Sequence, residues 1–471
     1  MKQTIKLTNT LTRKKETYKP INKKQTKLYT CGPTVYQTPH VGNLRYFIFT
    51  DTLKKTIEQT QTKVKHIMNI TDVGHLTSDA DEGEDKLQKE AKKQKTTAWT
   101  ISKKYTKIFL QNMKELNIKK PTKIVKATDT IKEQIQLIKK LEQKKYTYKT
   151  QDGIYYNTSK FKTYTNLSKT KTKGLKGGKR ITLKDKKNKT DFALWKFSPK
   201  NEKRDMEWNS PWGKGFPGWH IECSAIALKN LGNTLDIHTG GIDHIPIHHT
   251  NEIAQSEAAT NKKFSNYWLH SEFLVIKNQK MSKSVGNTKT LENIKKMNIN
   301  PLAYRYLCLG THYRKRMLYD EKILQNAQNS YEKLQKKIIE IKKNQTTKDK
   351  EQKKTTQKYT NKFLKELYND INTPKAIAIM WELINDKKTN NKTKLKTLTN
   401  FDQVLSLGIK KIKPKKEQPI PQKIKQLFKE REKHRKNKNW KKSDEIRNQL
   451  NKLGYQIKDT QKKSTIQKTK P

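Results

Sequence analysis

The sequence predicts an α/β chain: a parallel-sheet domain carrying an insertion, then a helical bundle, then a small carboxy-terminal module. Three observations carry that expectation. A strand, a glycine-containing turn, a helix and a second strand follow one another within residues 27–70, the crossover unit of a parallel nucleotide-binding sheet. Beyond about residue 300 the apolar spacing turns helical. Proline-marked breaks at Lys413-Pro414 and Pro419-Ile420-Pro421 set off the last stretch.

Taken in order, residues 27–31 (Lys-Leu-Tyr-Thr-Cys) read as a short strand ending at Gly32-Pro33, a turn signal. His40-Val41-Gly42-Asn43 opens a helix expected to reach about residue 60, with Phe47, Ile48 and Leu53 on its apolar face. Residues 63–70 form the second strand. A ligand of such a unit belongs at the carboxyl ends of the strands, where a helix amino terminus faces anions. Residues 85–190 mix helical periodicity with basic loops and read as an insertion between two sheet halves. Inside it, Gly174-Leu175-Lys176-Gly177-Gly178-Lys179 lacks the spacing of a phosphate-binding loop and reads as an exposed connection. Strands are expected again at 234–239 and 273–276. Cys308 falls in an apolar helical run and is expected to be a buried core thiol. Residues 343–358, polar and charged without apolar periodicity, read as an exposed connection. The final module is expected to hold helices at 422–436 and 443–453, capped by Ser443 and stopped by Gly454.

Composition narrows the class of partner. The 471 residues hold Lys+Arg 104 against Asp+Glu 44, a formal charge of +60. Phosphate neutralisation by such a surface favours a nucleic acid. Lysine, threonine, asparagine and glutamine are nevertheless enriched along almost the whole chain, the pattern of compositional drift, so the charge indicates an RNA-sized anion without naming it. No stretch approaches the roughly 18 apolar residues of a membrane span, and Met1–Lys6 has no apolar segment resembling a signal peptide. A cytoplasmic enzyme is expected. Three cysteines, Cys31, Cys223 and Cys308, are too few and scattered for a disulfide framework.

Two short signatures point to chemistry. His40-Val41-Gly42-Asn43 and Lys280-Met281-Ser282-Lys283-Ser284 are each weak alone; together, in this order, they describe two halves of one ATP site. Imidazole and ammonium groups there would meet the charge that builds up when the α-phosphate is attacked. Within the stretch between them, five of the eleven histidines cluster over residues 220–249: His220, His238, His244, His248 and His249. His248 and Glu252, four apart, share one face of a helix, from which His249 would point away. With thiolates from Cys223 and Cys31 they would make a two-sulfur, one-nitrogen, one-oxygen set that suits zinc. The same spacing also suits histidines that are simply hydrogen bonded in a pocket. Gly240-Gly241 would let a nucleotide approach the backbone, and is otherwise a tight turn.

These residues and motifs resemble those of cysteinyl-tRNA synthetases, a family of class I aminoacyl-tRNA synthetases. The resemblance covers essentially the whole chain. It rests on Tyr29-Thr30-Cys31-Gly32-Pro33-Thr34-Val35-Tyr36 with Pro39–Asn43, on Asn69-Ile70-Thr71-Asp72, Asp191–Lys196, Gly218–Ala225, Asp236–Asp243 and His248–Ser256, and on the Lys/Ser pentad. It implies a Rossmann-like catalytic domain over 1–300 with the insertion at about 85–190, a stem-contact segment and helical anticodon-binding bundle over 301–412, and an anticodon-reading module over 413–471. It implies one zinc ion per subunit on Cys31, Cys223, His248 and Glu252, joined by the thiolate of the substrate cysteine. Magnesium would accompany ATP. The catalytic residues implied are His40, Asn43, Lys280 and Lys283. His40, Asn43, Gly240, Gly241, Asp243 and Lys283 would bind ATP, and Thr71, Trp219 and His238 the amino acid. The partners implied are L-cysteine, ATP and tRNA-Cys, the chain acting as a monomer with no membrane attachment. Trp440 could stack on an unpaired base or pack two helices together.

Two departures accompany the resemblance. Val73-Gly74-His75 stand where the family often has an acidic pair and a lysine, and Lys462-Lys463-Ser464-Thr465-Ile466 where it often has an aromatic residue. Two rivals share the motifs: a ligase joining cysteine to an amino-sugar, which would not need the bundle and terminal module, and a non-catalytic RNA-binding paralogue, which would first lose His40, the pentad or the metal ligands.

Overall fold

The computed structural model describes residues 4–74, 85–169, 186–199, 204–276, 279–280, 288–347, 349–414, 420–459 and 464–468. The chain divides into two compact units, Met1–Ile412 and Lys413–Pro471.

The first unit is built on a five-stranded parallel sheet. In chain order its strands and flanking helices are β1 (Gln25–Thr30), α1 (Val41–Glu58), β2 (Lys63–Ile70), β3 (Lys123–Lys126), α2 (Trp219–Leu231), β4 (Leu235–Gly241), α3 (His248–Thr260) and β5 (Ser265–Ser271). The strand order across the sheet is β5-β4-β1-β2-β3, every pairing parallel. The chain steps from β1 through α1 to β2 on one side, then returns to β4 on the other. A crevice therefore opens at the carboxyl ends of β1 and β4, where the order reverses. Parallel strands covered on both faces bury nearly every residue, and β2 shows this: His66 to Ile70 are all buried.

Three features differ from the sequence expectation. β3 lies inside the stretch expected to be an insertion, yet pairs with Ile67–Ile70 as an edge strand of the main sheet. Its four residues, Lys-Ile-Val-Lys, are too short for periodicity to mark. β5 was not foreseen, because its Ser, Asn, His and Ser positions break an apolar run although most of the strand is buried. The strand expected at 273–276 is present as Leu274–Ile276 but belongs to a separate three-stranded sheet, antiparallel to Gln279–Lys280 and parallel to Met317–Leu318. The insertion also supplies two strands, Thr147–Lys149 and Gly153–Tyr156, of a four-stranded antiparallel sheet that Phe192–Phe197 and Gly215–Pro217 complete from beyond its expected end; residues 170–185, with the glycine-rich loop, lie outside the described residues.

Helix α1 is buried almost all round, from Val41 to Ile57, including Arg45, Asp51, Lys54 and Lys55. The helices that follow are α4 (Pro301–Leu309), α5 (Glu321–Lys343), α6 (Lys353–Tyr368), α7 (Thr373–Asn385) and α8 (Asn391–Leu405), and α1 lies against the sheet on one side and α4, α6 and α8 on the other. Buried charges need partners, and α1 has them. Asp51 Oδ2 meets Arg305 Nη2 of α4 at 2.7 Å and Lys55 Nζ at 2.6 Å. Arg305 also donates to the carbonyls of Leu405 and Leu116 at 2.6 and 2.9 Å. Cys308 is buried, as expected. The exposed connection is shorter than expected, since α6 already begins at Lys353. No helix among the described residues is long and apolar enough to cross a membrane.

The second unit has α9 (Gln422–Lys436), α10 (Trp440–Lys452) and a hairpin of β6 (Tyr455–Asp459) and β7 (Ser464–Lys468). Its core is Ile424, Ile446, Leu450, Tyr455 and Ile457. Arg431 closes it with a two-pronged bridge to Asp459, 3.0 and 2.7 Å. The amino-terminal cap of α10 is Asn439, which accepts from Lys442 N at 3.3 Å; Ser443, expected in that role, sits buried inside the helix. Gly454 follows the helix at φ +81°, where a glycine is favoured.

Candidate functional site

The crevice holds a cavity of about 540 Å³. Three structural pieces build its wall. The first is the loop after β1. Gly32 N donates to Asn69 Oδ1 at 2.7 Å, and Asn69 Nδ2 donates to Thr71 Oγ1 at 2.9 Å. A Cβ on residue 32 would stand 1.6 Å from the Asn69 carbonyl oxygen, so only glycine lets this loop lie on the end of β2. Thr71 thereby lines the cavity beside Cys31.

The second piece is the start of α1. His40 is its amino-terminal cap: Asn43 N donates to His40 Nδ1 at 3.2 Å, and His40 N donates to Asn43 Oδ1 at 3.3 Å. This reciprocal box satisfies two amides that a helix start would otherwise orphan. It also assigns the imidazole, because an accepting Nδ1 puts the neutral ring's proton on Nε2. Gly42 admits the ring, since a Cβ there would lie 2.9 Å from His40 Nδ1. The result is a corner of helix dipole and imidazole N–H whose electrostatics suit an anion.

The third piece is a buried cluster. Cys31 follows β1, Cys223 lies in the second turn of α2, and His248 and Glu252 face inward from α3. Their donor atoms all lie within 4.8 Å of one another. Cys31 Sγ is 3.7 Å, and His248 Nε2 3.1 Å, from Glu252 Oε1. A tetrahedral ion with bonds of 2.0–2.3 Å needs donors roughly 3.3–3.8 Å apart, so these residues could hold a metal.

The charges favour capture of a cation. Burial pushes the Cys31 thiol up, reinforced by Cys223 and Glu252. Burial would also raise Cys223, but the hydrogen bond from Cys31 and the His248 imidazole outweigh it and lower it to about 6. Burial would depress His248, yet Glu252 and Cys223 hold it up at about 10. Glu252 is kept well below the usual carboxylate range by His238 and His248 against the effect of burial. An ion binding here would displace protons from Cys31 and His248.

Around the cluster the histidines take distinct places. His238 lies behind it on β4, with Nε2 3.0 Å from Glu252 Oε2, and does not line the cavity. His249 does not point away: its Nε2 is 3.3 Å from Cys31 Sγ. A three-residue step is also one helical face, and His249 uses it to reach past Glu252. Cys31, His238, His249 and Glu252 therefore form a second overlapping donor set, but three of the first set, Cys31, Cys223 and His248, line the cavity, against Cys31 alone of the second. His270 was not anticipated. It continues the chain, with Nε2 2.7 Å from His249 Nδ1 and Nδ1 2.7 Å from Thr10 Oγ1. Nothing in its local sequence marks it beyond its place at the carboxyl end of a strand.

Trp219 lines the cavity, its ring 4.4 Å from that of His248. Gly241 and Asp243 line it too. Gly240 sits just behind, where a Cβ would stand 2.3 Å from His249 Cε1. Lys86, not singled out from the sequence, also lines the cavity. Lys280 pairs with Val275 in the short antiparallel ladder, while Lys283 lies outside the described residues, as do 75–84 after the Asn69–Asp72 motif.

Comparison with known proteins bears on what the site does. Residues 17–329 match the family described as tRNA synthetases class I (C) catalytic domain, and residues 417–466 match the Cysteinyl-tRNA ligase anticodon binding domain. Cysteine--tRNA ligase 1 of Burkholderia lata is 42% identical over 457 residues, 97% of this chain and 95% of that protein. Cysteine--tRNA ligase of Treponema denticola is 40% identical over 489 residues, 98% of this chain and 99% of that protein. Among solved structures, Mycobacterium tuberculosis methionyl-tRNA synthetase in complex with methionyl-adenylate aligns with a TM-score of 0.56 over 83% of this chain and 92% of that one. At 14% identity that likeness concerns the fold alone.

Proposed function

The chain belongs to the cysteinyl-tRNA synthetase family, and from that premise we propose how its residues join L-cysteine to the 3′ end of tRNA-Cys at the expense of ATP. The observation that carries this reading is that the His40–Asn43 corner and the Cys31–Cys223–His248 face open onto one cavity. A triphosphate and a thiol-bearing amino acid can therefore meet there.

In the first step the cysteine carboxylate attacks the α-phosphate of ATP in line, releasing pyrophosphate and leaving cysteinyl-adenylate. The imidazole Nε2–H of His40, the Asn43 side chain and the amides of the α1 start stabilise the charge developing on the phosphates. Lys280 and Lys283 serve the same charge from the other half-site, and magnesium accompanies the nucleotide. Gly240 and Gly241 let the nucleotide approach the end of β4, with Asp243 beside it. Thr71 and Trp219 bound the amino-acid end. His238, hydrogen bonded to Glu252, acts on the amino acid by fixing that carboxylate. Zinc, held by Cys31, Cys223, His248 and Glu252, would supply a soft Lewis acid that takes the substrate thiolate in preference to a hydroxyl. Packing alone separates so small a difference poorly. In the second step the terminal ribose hydroxyl of the tRNA attacks the adenylate carbonyl and AMP leaves. No protein nucleophile takes part; the chain supplies position and electrostatics.

The terminal unit supports tRNA over an amino-sugar as the acceptor. Trp440, at the start of α10, is 58% exposed, so its ring is offered to solvent instead of being packed between helices. It gives an unpaired anticodon base a stacking face. We place the enzyme in the cytoplasm as a monomer.

Cysteine-dependent ATP–pyrophosphate exchange by the zinc-loaded chain tests the first step, and absence of exchange sinks the proposal. Charging of a tRNA-Cys transcript tests the second; exchange without charging, but with transfer to an amino-sugar, would favour the rival ligase.

A further inference from the structure

Arg45 stands one turn into α1, immediately behind the cavity wall. It is 2% exposed. Its two terminal nitrogens serve four backbone carbonyls on two different segments. Nη1 donates to Glu272 O at 2.8 Å and Phe273 O at 2.7 Å. Nη2 donates to His312 O at 3.2 Å and Lys315 O at 2.6 Å. The first pair of carbonyls leads directly into Leu274–Ile276, the strand against which Lys280 is paired. The second pair leads into Met317–Leu318, the strand on its other side. The start of α1 is tied to the far end of the pentad segment as well: Val41 N donates to Lys289 O at 2.8 Å, and His40 bridges Thr290. Asn43 and Tyr46, flanking Arg45, line the cavity, as do Glu272 and Phe273.

We infer that Arg45 is a positioning residue that holds strands Leu274–Ile276 and Met317–Leu318, and with the first the backbone of Lys280, in register with the His40 corner at the nucleotide end of the cavity. It rests on the adenylation reading above. Arginine is required by shape. A planar fork can satisfy two carbonyl pairs diverging from its two ends, whereas a lysine ammonium offers one nitrogen and cannot span both. Burial lowers the guanidinium's hold on its proton, but an arginine remains charged, so the fork keeps all its donors. Because the cysteine end of the cavity is formed by β1, α2 and α3, loss of the fork should disturb the nucleotide end and leave the amino-acid end in place.

The test is Arg45→Lys in pyrophosphate exchange, using the full-length zinc-loaded chain. Displacing the strand by a fraction of an ångström is expected to lower kcat by about tenfold to a hundredfold and to raise KM for ATP. KM for cysteine, bound zinc and cysteine-over-serine preference should be unchanged. A folded variant with kcat and ATP KM close to those of the unsubstituted chain overturns the inference, as does one in which both substrates' KM values rise together. Should Arg45→Lys prove insoluble, Arg45→Ala with added methylguanidinium replaces it, and recovery of exchange is the supporting result. No recovery, or failure of both variants to fold, overturns the positioning role in favour of a purely structural one. Absence of exchange in the unsubstituted chain would instead overturn the adenylation reading and this inference with it.

Discussion

Cys223 reaches the cluster from α2 while Cys31 reaches it from the end of β1, and each is buried to 3% exposure or less. Neither thiol has a structural task that a serine hydroxyl could not fill by size, and the proposed function gives them value as sulfur ligands. Cys223→Ser is therefore expected to keep the fold and lose the ion. The loss of affinity should exceed the ~10–100-fold typical of an outer-shell change, and discrimination of cysteine from serine should fall with it. Metal content after dialysis, and exchange measured with each amino acid, check this; a variant that keeps both refutes the assignment. Residue type alone offered the four donors as one possible set, and it was family resemblance that favoured linking Cys31 to residues more than 190 positions away over a merely hydrogen-bonded pocket. Spacing alone reached His248 and Glu252. It misjudged His249, because a four-residue step was taken as the whole of a helical face when a three-residue step also belongs to it.

At the scale of elements, α1 is the member on which most else depends. Its amphipathic pattern announced a helix with one apolar face at Phe47, Ile48 and Leu53, and the structure buries that face together with the charged one. What the pattern could not disclose is that the bundle covers the second face, with Arg305 of α4 and Lys55 sharing Asp51. Burial pushes the Asp51 carboxyl up, but Arg305 and Lys55 outweigh it, and its pKa is lowered from 3.8. Since the folded value lies below the unfolded one, the stabilisation is present above about pH 4 and is lost as pH falls through the folded value. Asp51→Asn leaves two buried cations short of their partner and is expected to cost about 3 kcal/mol at neutral pH. The gap between variant and parent should narrow in acid, as pH falls below the ordinary carboxyl value and on through the lowered folded one, where protonated Asp51 resembles the amide. Denaturant melts at both pH values check this, and a gap that stays constant rules the pairing out as its source. β3 and β5 escaped notice for a related reason: four residues give no period, and polar residues in a buried strand disguise it.

Across the whole molecule the division at Ile412 separates a unit that contains every described residue of the cavity from one that contains none. A chain ending at Ile412 is thus expected to retain pyrophosphate exchange within roughly threefold, since a unit with its own core can fold alone, and to lose charging of tRNA-Cys disproportionately. Parallel exchange and charging assays decide it; equal losses in both would mean that the terminal unit supports the first unit's fold instead of the RNA. The proline-rich break made this division visible in the sequence, whereas the +60 charge, spread over both units, distinguishes nothing between them. The placing of the cluster has one more consequence. Three of its four donors open onto the cavity and Glu252 lies behind them, so on the proposed reading an ion would travel to its seat by the route the amino acid later uses. Order of arrival would then be built into the architecture: the ion would come first, and each substrate molecule that followed would also be a stopper against its escape. Turnover itself would set how often the ion can leave, and an idle enzyme would be the one most open to a chelator.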